Sequence, residues 1–194
     1  MPHRTADELA AGMAEVRRAP AAVGTVEMIV RRPAPDEREV LAEGHLTPAD
    51  GLVGDDWLAR GSRKTRDGSA DPQQQLTLMG ARVVDLLAGG DRAAWPLAGD
   101  QLYVDLDLSV ANLPAGTRLA VGTAVIEVTE PPHTGCAKFS ARFGSEALRL
   151  ANSPEGRALR LRGLHVRVIE AGTVAQGDPI RRAGGHCLRG RGLP

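Results

Sequence analysis

From Val23 onward, short apolar runs of strand character follow one another, each cut off by Gly, Pro or Asn, and a chain with that rhythm has few folds open to it. Val23-Gly-Thr-Val-Glu-Met-Ile-Val30 is a strand broken by Arg31-Arg-Pro-Ala-Pro35, with Glu39-Val-Leu-Ala42 as its partner. Gln75-Leu-Thr-Leu-Met79, Leu102-Tyr-Val-Asp-Leu106, Arg118-Leu-Ala-Val121 and Ala124-Val-Ile-Glu-Val-Thr129 continue the series. Leu164-His-Val-Arg-Val-Ile169 alternates like a half-buried strand, and Thr173-Val-Ala-Gln-Gly-Asp-Pro-Ile180 is expected to form a closing hairpin arm. So many short strands must close on themselves or stack to hide their edges, and a barrel is the expected solution.

Helices are few. Thr5-Ala-Asp-Glu8 has the capping-box form, and Leu9, Met13 and Val16 follow at helical spacing, which predicts a short amphipathic helix over 6–18. A second helix follows Met79, with Val83, Val84, Leu86 and Leu87 apolar and Gly89-Gly90 as its stop. Residues 145–162 carry one or two more, interrupted at Asn152-Ser-Pro154. Between the strands, 51–75 is rich in Gly, Asp, Ser and Arg and is expected to be a long loop, of the kind that often carries function. The organisation expected is an N-terminal helical appendage (1–21), one mostly β domain (22–182) and a flexible basic tail (183–194).

With 194 residues there is length for one ordinary domain and a substantial core. Lys+Arg and Asp+Glu both number 24, so nothing global favours nucleic acid or an anionic membrane, and aromatic residues at 3% exclude the interleaved basic and aromatic surface that stacks single strands. No apolar run has the length of a membrane span and MPHRTADELA lacks a signal-peptide core, so a cytoplasmic protein without membrane or nucleic-acid partners is expected. Cys136 and Cys187 are the two cysteines, too few for a disulfide framework, so free thiols are expected. No Walker loop, Ser-His-Asp order or HExxH helix is present.

Read in order, the chain shows Gly51-Leu-Val-Gly-Asp55, Gln75-Leu-Thr-Leu-Met79, Gly99-Asp-Gln-Leu102, Val121-Gly122, Glu127-Val-Thr-Glu-Pro-Pro132, Cys136-Ala-Lys138 and Val174-Ala-Gln-Gly-Asp-Pro-Ile180. No single element is specific, but their order and spacing around one cysteine resemble the MOSC family, related to the C-terminal part of molybdenum-cofactor sulfurases, over residues 22–182. The resemblance implies a mostly β, MOSC-type barrel with a few short helices. It also implies binding of the molybdenum cofactor (molybdopterin) and a cysteine that holds sulfur or metal. Two departures stand out. Similar members often carry Gly-Glu-Asn-Leu where this chain has Gly99-Asp-Gln-Leu102, and many have Pro before the cysteine, where Gly135 would loosen the cysteine loop.

A pterin-bound molybdenum is held by soft sulfur, and a thiolate is the matching side-chain ligand; a thiolate also carries or attacks a persulfide. Cys136 is therefore the candidate catalytic residue and molybdenum ligand, with Lys138, Arg142 and His133 nearby in sequence, against the alternative of an inert buried cysteine. The cofactor's phosphate needs cations or backbone N–H groups, and Arg60, Arg63, Lys64 and Arg66 supply four within seven residues; a solvated mobile loop is the equal alternative. Asp55 is expected to orient those cations or a cofactor amine, or simply to cap a turn. Asp100 and Gln101 match the amide edge of a pterin, with a plain turn as alternative. His133-x-x-Cys136 and His186-Cys187 fit no zinc spacing, and His45 and His165 are expected to be structural.

The resemblance implies a small oxidoreductase acting on an N-hydroxylated or similar small-molecule substrate. Its electron donor would be a separate protein, since no flavin, haem or iron–sulfur signature occurs. The alternative is a non-catalytic carrier of sulfur or cofactor that delivers to a receiving enzyme. Related domains also stand beside pyridoxal-phosphate-dependent sulfurase domains; this chain leaves no room for one, so such a relation would run through a partner.

Overall fold

The computed structural model describes residues 2–184. Helix α1 (Ala6–Val16) leads into β1 (Val23–Arg31), β2 (Glu39–Leu41), β3 (Glu43–Thr47), β4 (Gly51–Leu52) and one turn of helix, α2 (Trp57–Arg60). Then come β5 (Leu76–Gly80), α3 (Ala81–Ala88), a 3-10 helix (Arg92–Ala98) and β6 (Leu102–Asp105). After β7 (Arg118–Val121) and β8 (Ala124–Val128) stand α4 (Ala137–Phe143), α5 (Ser145–Asn152) and α6 (Pro154–Ala158), followed by β9 (Leu164–Glu170), β10 (Gly172–Ala175) and β11 (Pro179–Arg182).

The strands order as β11-β7-β8-β9-β5-β6-β1-β2, and β11 also pairs with β1, so seven strands close into a barrel with β2 left outside as an extension of β1. All barrel pairings are antiparallel except β5 with β6, where α3 and the 3-10 helix make the crossover. The expected closing hairpin is corrected here. β10 pairs with β3 in a separate three-stranded sheet, while β11 pairs with β1 and β7. The physical reason is the turn at Gly177 (φ 91°), whose N–H donates to Val26 rather than across a two-strand ladder; a positive φ there suits glycine.

Alternation along the strands separates two cores. Leu76, Leu78, Leu102, Val104, Ile126, Val128, Leu164 and Val166 fill the barrel, while Met79, Tyr103, Phe139, Phe143, Leu9 and Met13 form a second layer between the barrel wall and the helices. β1 serves both. A register shift between Val26 and Met28 turns Val26 and Ile29 inward but Met28 and Val30 outward, because one extra residue inverts the two-residue period. Each such buried side chain is worth about 1.5–3 kcal/mol, so a charge at Leu78 or Ile126 is the single change that would open the barrel.

α1 is held as its sequence predicts: Thr5 and Glu8 cap it reciprocally, and Leu9, Met13 and Val16 are buried. It lies close against α3, where a Cβ at Gly12 would run into the Leu86 side chain. The loop expected at 51–75 contains β4, α2 and a 3-10 turn at Pro72–Gln74, and the segment after Cys136, to which the sequence assigns no element, is α4. Only Phe139 and Phe143 of α4 are buried, one turn apart, which is too little periodicity to announce a helix in sequence. Among the described residues no helix is long and apolar enough to cross a membrane. Cys187, His186 and nearly all of the expected tail lie outside the described residues.

Candidate functional site

Beside one end of the barrel the 3-10 helix ends at Leu97-Ala98-Gly99, and three successive carbonyls there each receive a guanidinium from a different element. Arg142 Nη1 of α4 donates to Leu97 O at 2.8 Å, Arg162 Nη2 to Ala98 O at 3.0 Å, and Arg32 Nη1 to Gly99 O at 3.0 Å. Gly99 has φ 87°, and the guanidiniums of Arg142 and Arg38 both come within 4 Å of the place where its Cβ would stand. The C-terminal carbonyls of a helical turn carry partial negative charge, which suits cations gathered in this way.

Arg32 is fixed further by Asp55. Its Nε and Nη2 donate to the two carboxylate oxygens at 2.9 and 2.8 Å, and its backbone N–H donates to Oδ2 at 3.0 Å. Burial opposes the charge on both partners, yet the pair holds Asp55 below the usual carboxylate range and Arg32 above the usual guanidinium one. Asp55 also accepts from Trp57 N and from Gln101 Nε2, and Gln101 Oε1 accepts from Thr77 N and Oγ1.

These residues frame a cavity of about 230 Å³ lined by Arg32, Arg38, Arg60, Lys138, Arg142 and Arg162, by Asp36 and Asp56, and by Cys136. Cys136 is exposed and caps α4 without using its side chain in a cap hydrogen bond, so the thiol is free. Arg38 has a buried Nε without a partner. Its pKa is pushed down by burial first and then by Arg142 and Arg32, the mark of a cation crowded by cations. The loop before Cys136 is not loose. Asn152 accepts from Gly135 N at 3.0 Å and donates to Gly135 O at 3.2 Å, and a Cβ at Gly135 would meet Leu148 Cδ1 at 2.6 Å. The two Asn152 hydrogen bonds, not the residue at 135, hold this loop, and the expected looseness is corrected to a clamp.

Behind the cavity wall lies a buried polar cluster. Asp100 is fully buried and accepts from Arg162 Nη1 at 2.7 Å, while its other oxygen stands 3.5 Å from His133 Nδ1. The His133 ring packs on His165 with centroids 4.5 Å apart, and Arg162 lies over the Phe139 ring of α4 at 5.0 Å. Burial, then Arg162, pushes His133 well below the ordinary imidazole range; burial, then Lys64, pushes His165 down to about 4. Both are neutral in the folded protein near neutrality, whereas in the unfolded chain each takes a proton near pH 6.5. The unfolded state therefore binds more protons as pH falls, and stability should drop from about pH 6.5 to about pH 4 by about 1.4 kcal/mol per pH unit per histidine. Denaturant titrations across that range check it, and His165→Phe should roughly halve the slope; an unchanged slope would mean that His165 is protonated in the fold.

The structure thus separates the residues expected from sequence. Cys136, Arg60, Lys138 and Arg142 meet at the cavity. Arg63, Lys64 and Arg66 stand exposed on the loop beyond it. Asp100 and Gln101 are buried behind the wall, at 0% and 1% exposure, and Asp55 orients Arg32 and accepts from Trp57 N at the start of α2 instead of pairing with the loop cations. Arg32, Arg38, Arg162 and Asn152 were not legible: in an arginine-rich chain no single arginine stands out, and Asn152 carries only a helix-stop signal.

The family model of the MOSC domain matches residues 67–181, more than half of the chain. The chain belongs to the MOSC domain family. MOSC domains are associated with binding of the molybdenum cofactor. No curated protein sequence matches significantly. Among solved structures, YuaD from Bacillus subtilis is similar with a TM-score of 0.61 at 16% identity, over 81% of this MOSC chain and 94% of that one. YiiM from Escherichia coli gives 0.53 at 21%, over 82% and 70%, and YiiM from Geobacillus stearothermophilus 0.53 at 14%, over 83% and 75%. At such identities they establish likeness of fold alone. Arg32, Arg38, Asp55 and Arg60 precede the matched MOSC segment, so this cavity wall is built partly from residues outside it.

Proposed function

We propose that the cavity beside Cys136 binds the molybdenum cofactor, with the Cys136 thiolate as a ligand to molybdenum, and that the protein is a small oxidoreductase acting on N-hydroxylated or similar compounds. The observation that carries this reading is a free, exposed thiol on a cavity whose wall has six cations against two carboxylates. The chemistry of the donors fits: a soft sulfur for a soft metal, and guanidiniums for an anionic phosphate. Arg38 and Arg142, both beside Gly99, offer cations for the phosphate end, with Arg60 on the same cavity and Arg32 held fast by Asp55. When bound, the group supplies two-electron redox chemistry; the residues of the chain hold its anionic end, offer the sulfur and keep the wall rigid.

The exposure of the thiol also favours a second reading, a carrier that presents cofactor or sulfur to a receiving enzyme. Two measurements separate these. An oxidoreductase purified with molybdenum should reduce an N-hydroxylated compound with an artificial reductant, whereas a carrier should load an apo-enzyme and turn nothing over. Hydrogen bonds to charged groups contribute about 1.5–3 kcal/mol each, so Arg38→Ala combined with Arg142→Ala should cut cofactor retention at least about tenfold. Wild-type protein without molybdenum from a cofactor-competent host would overturn the oxidoreductase and the cofactor carrier, and a Cys136 that takes up no persulfide either would overturn the sulfur carrier.

A further inference from the structure

The segment 131–136 borders two cavities. Cys136 lines the one described above, of about 230 Å³, while Pro131 to Thr134 line a second, of about 330 Å³, which shares no lining residue with the first. The apolar part of its wall is made by Val110, Pro114, Ala115, Pro131, Pro132 and Leu164. Proline and alanine have no side-chain freedom to lose, so such a wall receives a flat apolar body at little entropic cost.

His133 is set into this wall, and its surroundings fix what it can do. Arg162 Nη1 donates to Asp100 Oδ2, which leaves the buried Oδ1 without a hydrogen bond and 3.5 Å from His133 Nδ1, equally buried and equally without one. A carboxylate so placed keeps the imidazole proton on Nδ1. The ring is neutral, because burial and then the Arg162 charge hold its pKa well below the usual range. Nε2 is therefore an acceptor. It makes no hydrogen bond and, unlike Nδ1, is not closed off, so the 14% of the side chain that stays exposed includes it. The charged residues of the lining are Arg157 and Arg160 against Glu130. Arg157 is exposed and has no ion pair among the described residues, while Arg160 is fixed by donating Nη1 to Leu108 O and Leu113 O.

We propose that this second cavity binds a small aromatic acid that carries a hydroxyl, its ring against the prolines, its O–H donating to His133 Nε2 and its carboxylate drawn to Arg157 and Arg160. A wall that offers an acceptor selects a ligand with a donor, and two cations against one carboxylate select an anion. Binding here involves no covalent step and stands whether or not the Cys136 cavity holds a cofactor.

The probes are 3- and 4-hydroxybenzoate, with benzoate and phenol as analogues that each lack one polar group, titrated into the isotope-labelled full chain at low salt. Amide shifts should gather at Val110, Thr134, Gly156 and Leu164. The better hydroxybenzoate should bind at least about tenfold more tightly than benzoate or phenol, because an acceptor covered and left unmet is heavily penalised. Arg157→Ser, at an exposed side chain, should weaken the acids about threefold and leave phenol unchanged. His133→Phe should bring both hydroxybenzoates down to the affinity of benzoate, and His133→Gln, which keeps an acceptor, should restore part of the difference. The comparison of probes on the parent protein decides the matter even where a His133 variant does not fold. No binding of any probe at about 10 mM, or benzoate as tight as both hydroxybenzoates, would overturn the proposal. Shifts centred on Gly99 and Phe139 would overturn it too, since they place the anion in the Cys136 cavity instead.

Discussion

Cys136→Ser should fold, melt as the parent does to within about 1 kcal/mol, and lose molybdenum together with any reduction or sulfur transfer. One atom changes and the volume hardly does, and Cys136 is exposed, so no core contact is lost. What changes is chemistry: a hydroxyl is hard and far less acidic, and neither ligates molybdenum as a thiolate nor carries a persulfide. The clamp of Asn152 on Gly135 is main chain to side chain and survives the substitution, so the loop stays in place. Elemental analysis and turnover with an artificial reductant read the result. Cys187→Ser, outside the described residues, should change neither. Full molybdenum content in Cys136→Ser would remove this thiol from the centre of the protein.

The second large effect is on stability. Arg162 is 7% exposed, and Asp100 is wholly buried at 2.7 Å from it. Burial pushes the Asp100 carboxyl up while Arg162 pulls it down, so each charge depends on the other for its place in the interior. Arg162→Ala leaves the carboxylate unpaired and takes a flat cation off the Phe139 ring. Breaking one side of a buried pair costs about 3–5 kcal/mol, which for a chain of this size lowers the melting midpoint by about 6–20 °C. Asp100→Asn with Arg162→Met removes both charges at similar volume and should recover much of the loss. Denaturant unfolding of the two variants checks this, and a single variant within about 1 kcal/mol of the parent would show that solvent reaches the pair.

The comparison of sequence with structure divides along physical lines. Elements whose signal is local were readable: the capping box at Thr5 and Glu8, the alternation of β9, and Gly89 ending α3 in the left-handed region. The exposure of Cys136 beside Lys138 and Arg142 agrees with their closeness in sequence, while its chemical role is the proposal made above. The cavity wall was not legible. Arg32 is made a wall residue by Asp55, 23 positions away, and Arg162 by Asp100, 62 positions away. Nothing in the neighbourhood of either arginine distinguishes it from a solvated one. Asp100 and Gln101 were open to ligand contact or a plain turn because their polarity was visible and their burial was not. The turn at Gly177 misled for the same reason: two short strands in succession look like a hairpin, and only the vacant edges of β1, β3 and β7 decide otherwise.

The seam that closes the barrel joins Val23–Thr25 to Pro179–Arg181, strands from nearly opposite ends of the described chain. On a ribosome, which releases the N-terminal strand first, β1 can pair with β2 and β6 early but must wait for β11 before the edge of its first half is covered. Until then the sheet is an open ribbon with two raw edges, and the turn between β1 and β2, which supplies Arg32 and Arg38, hangs from one of them. The wall that Arg32 and Arg38 contribute to the Cys136 cavity is thus completed late, after synthesis has passed β11. A messenger cut short before that strand would yield a product with one edge of β1 bare along its first half, exposed to the sticking of edge to edge that barrels exist to prevent.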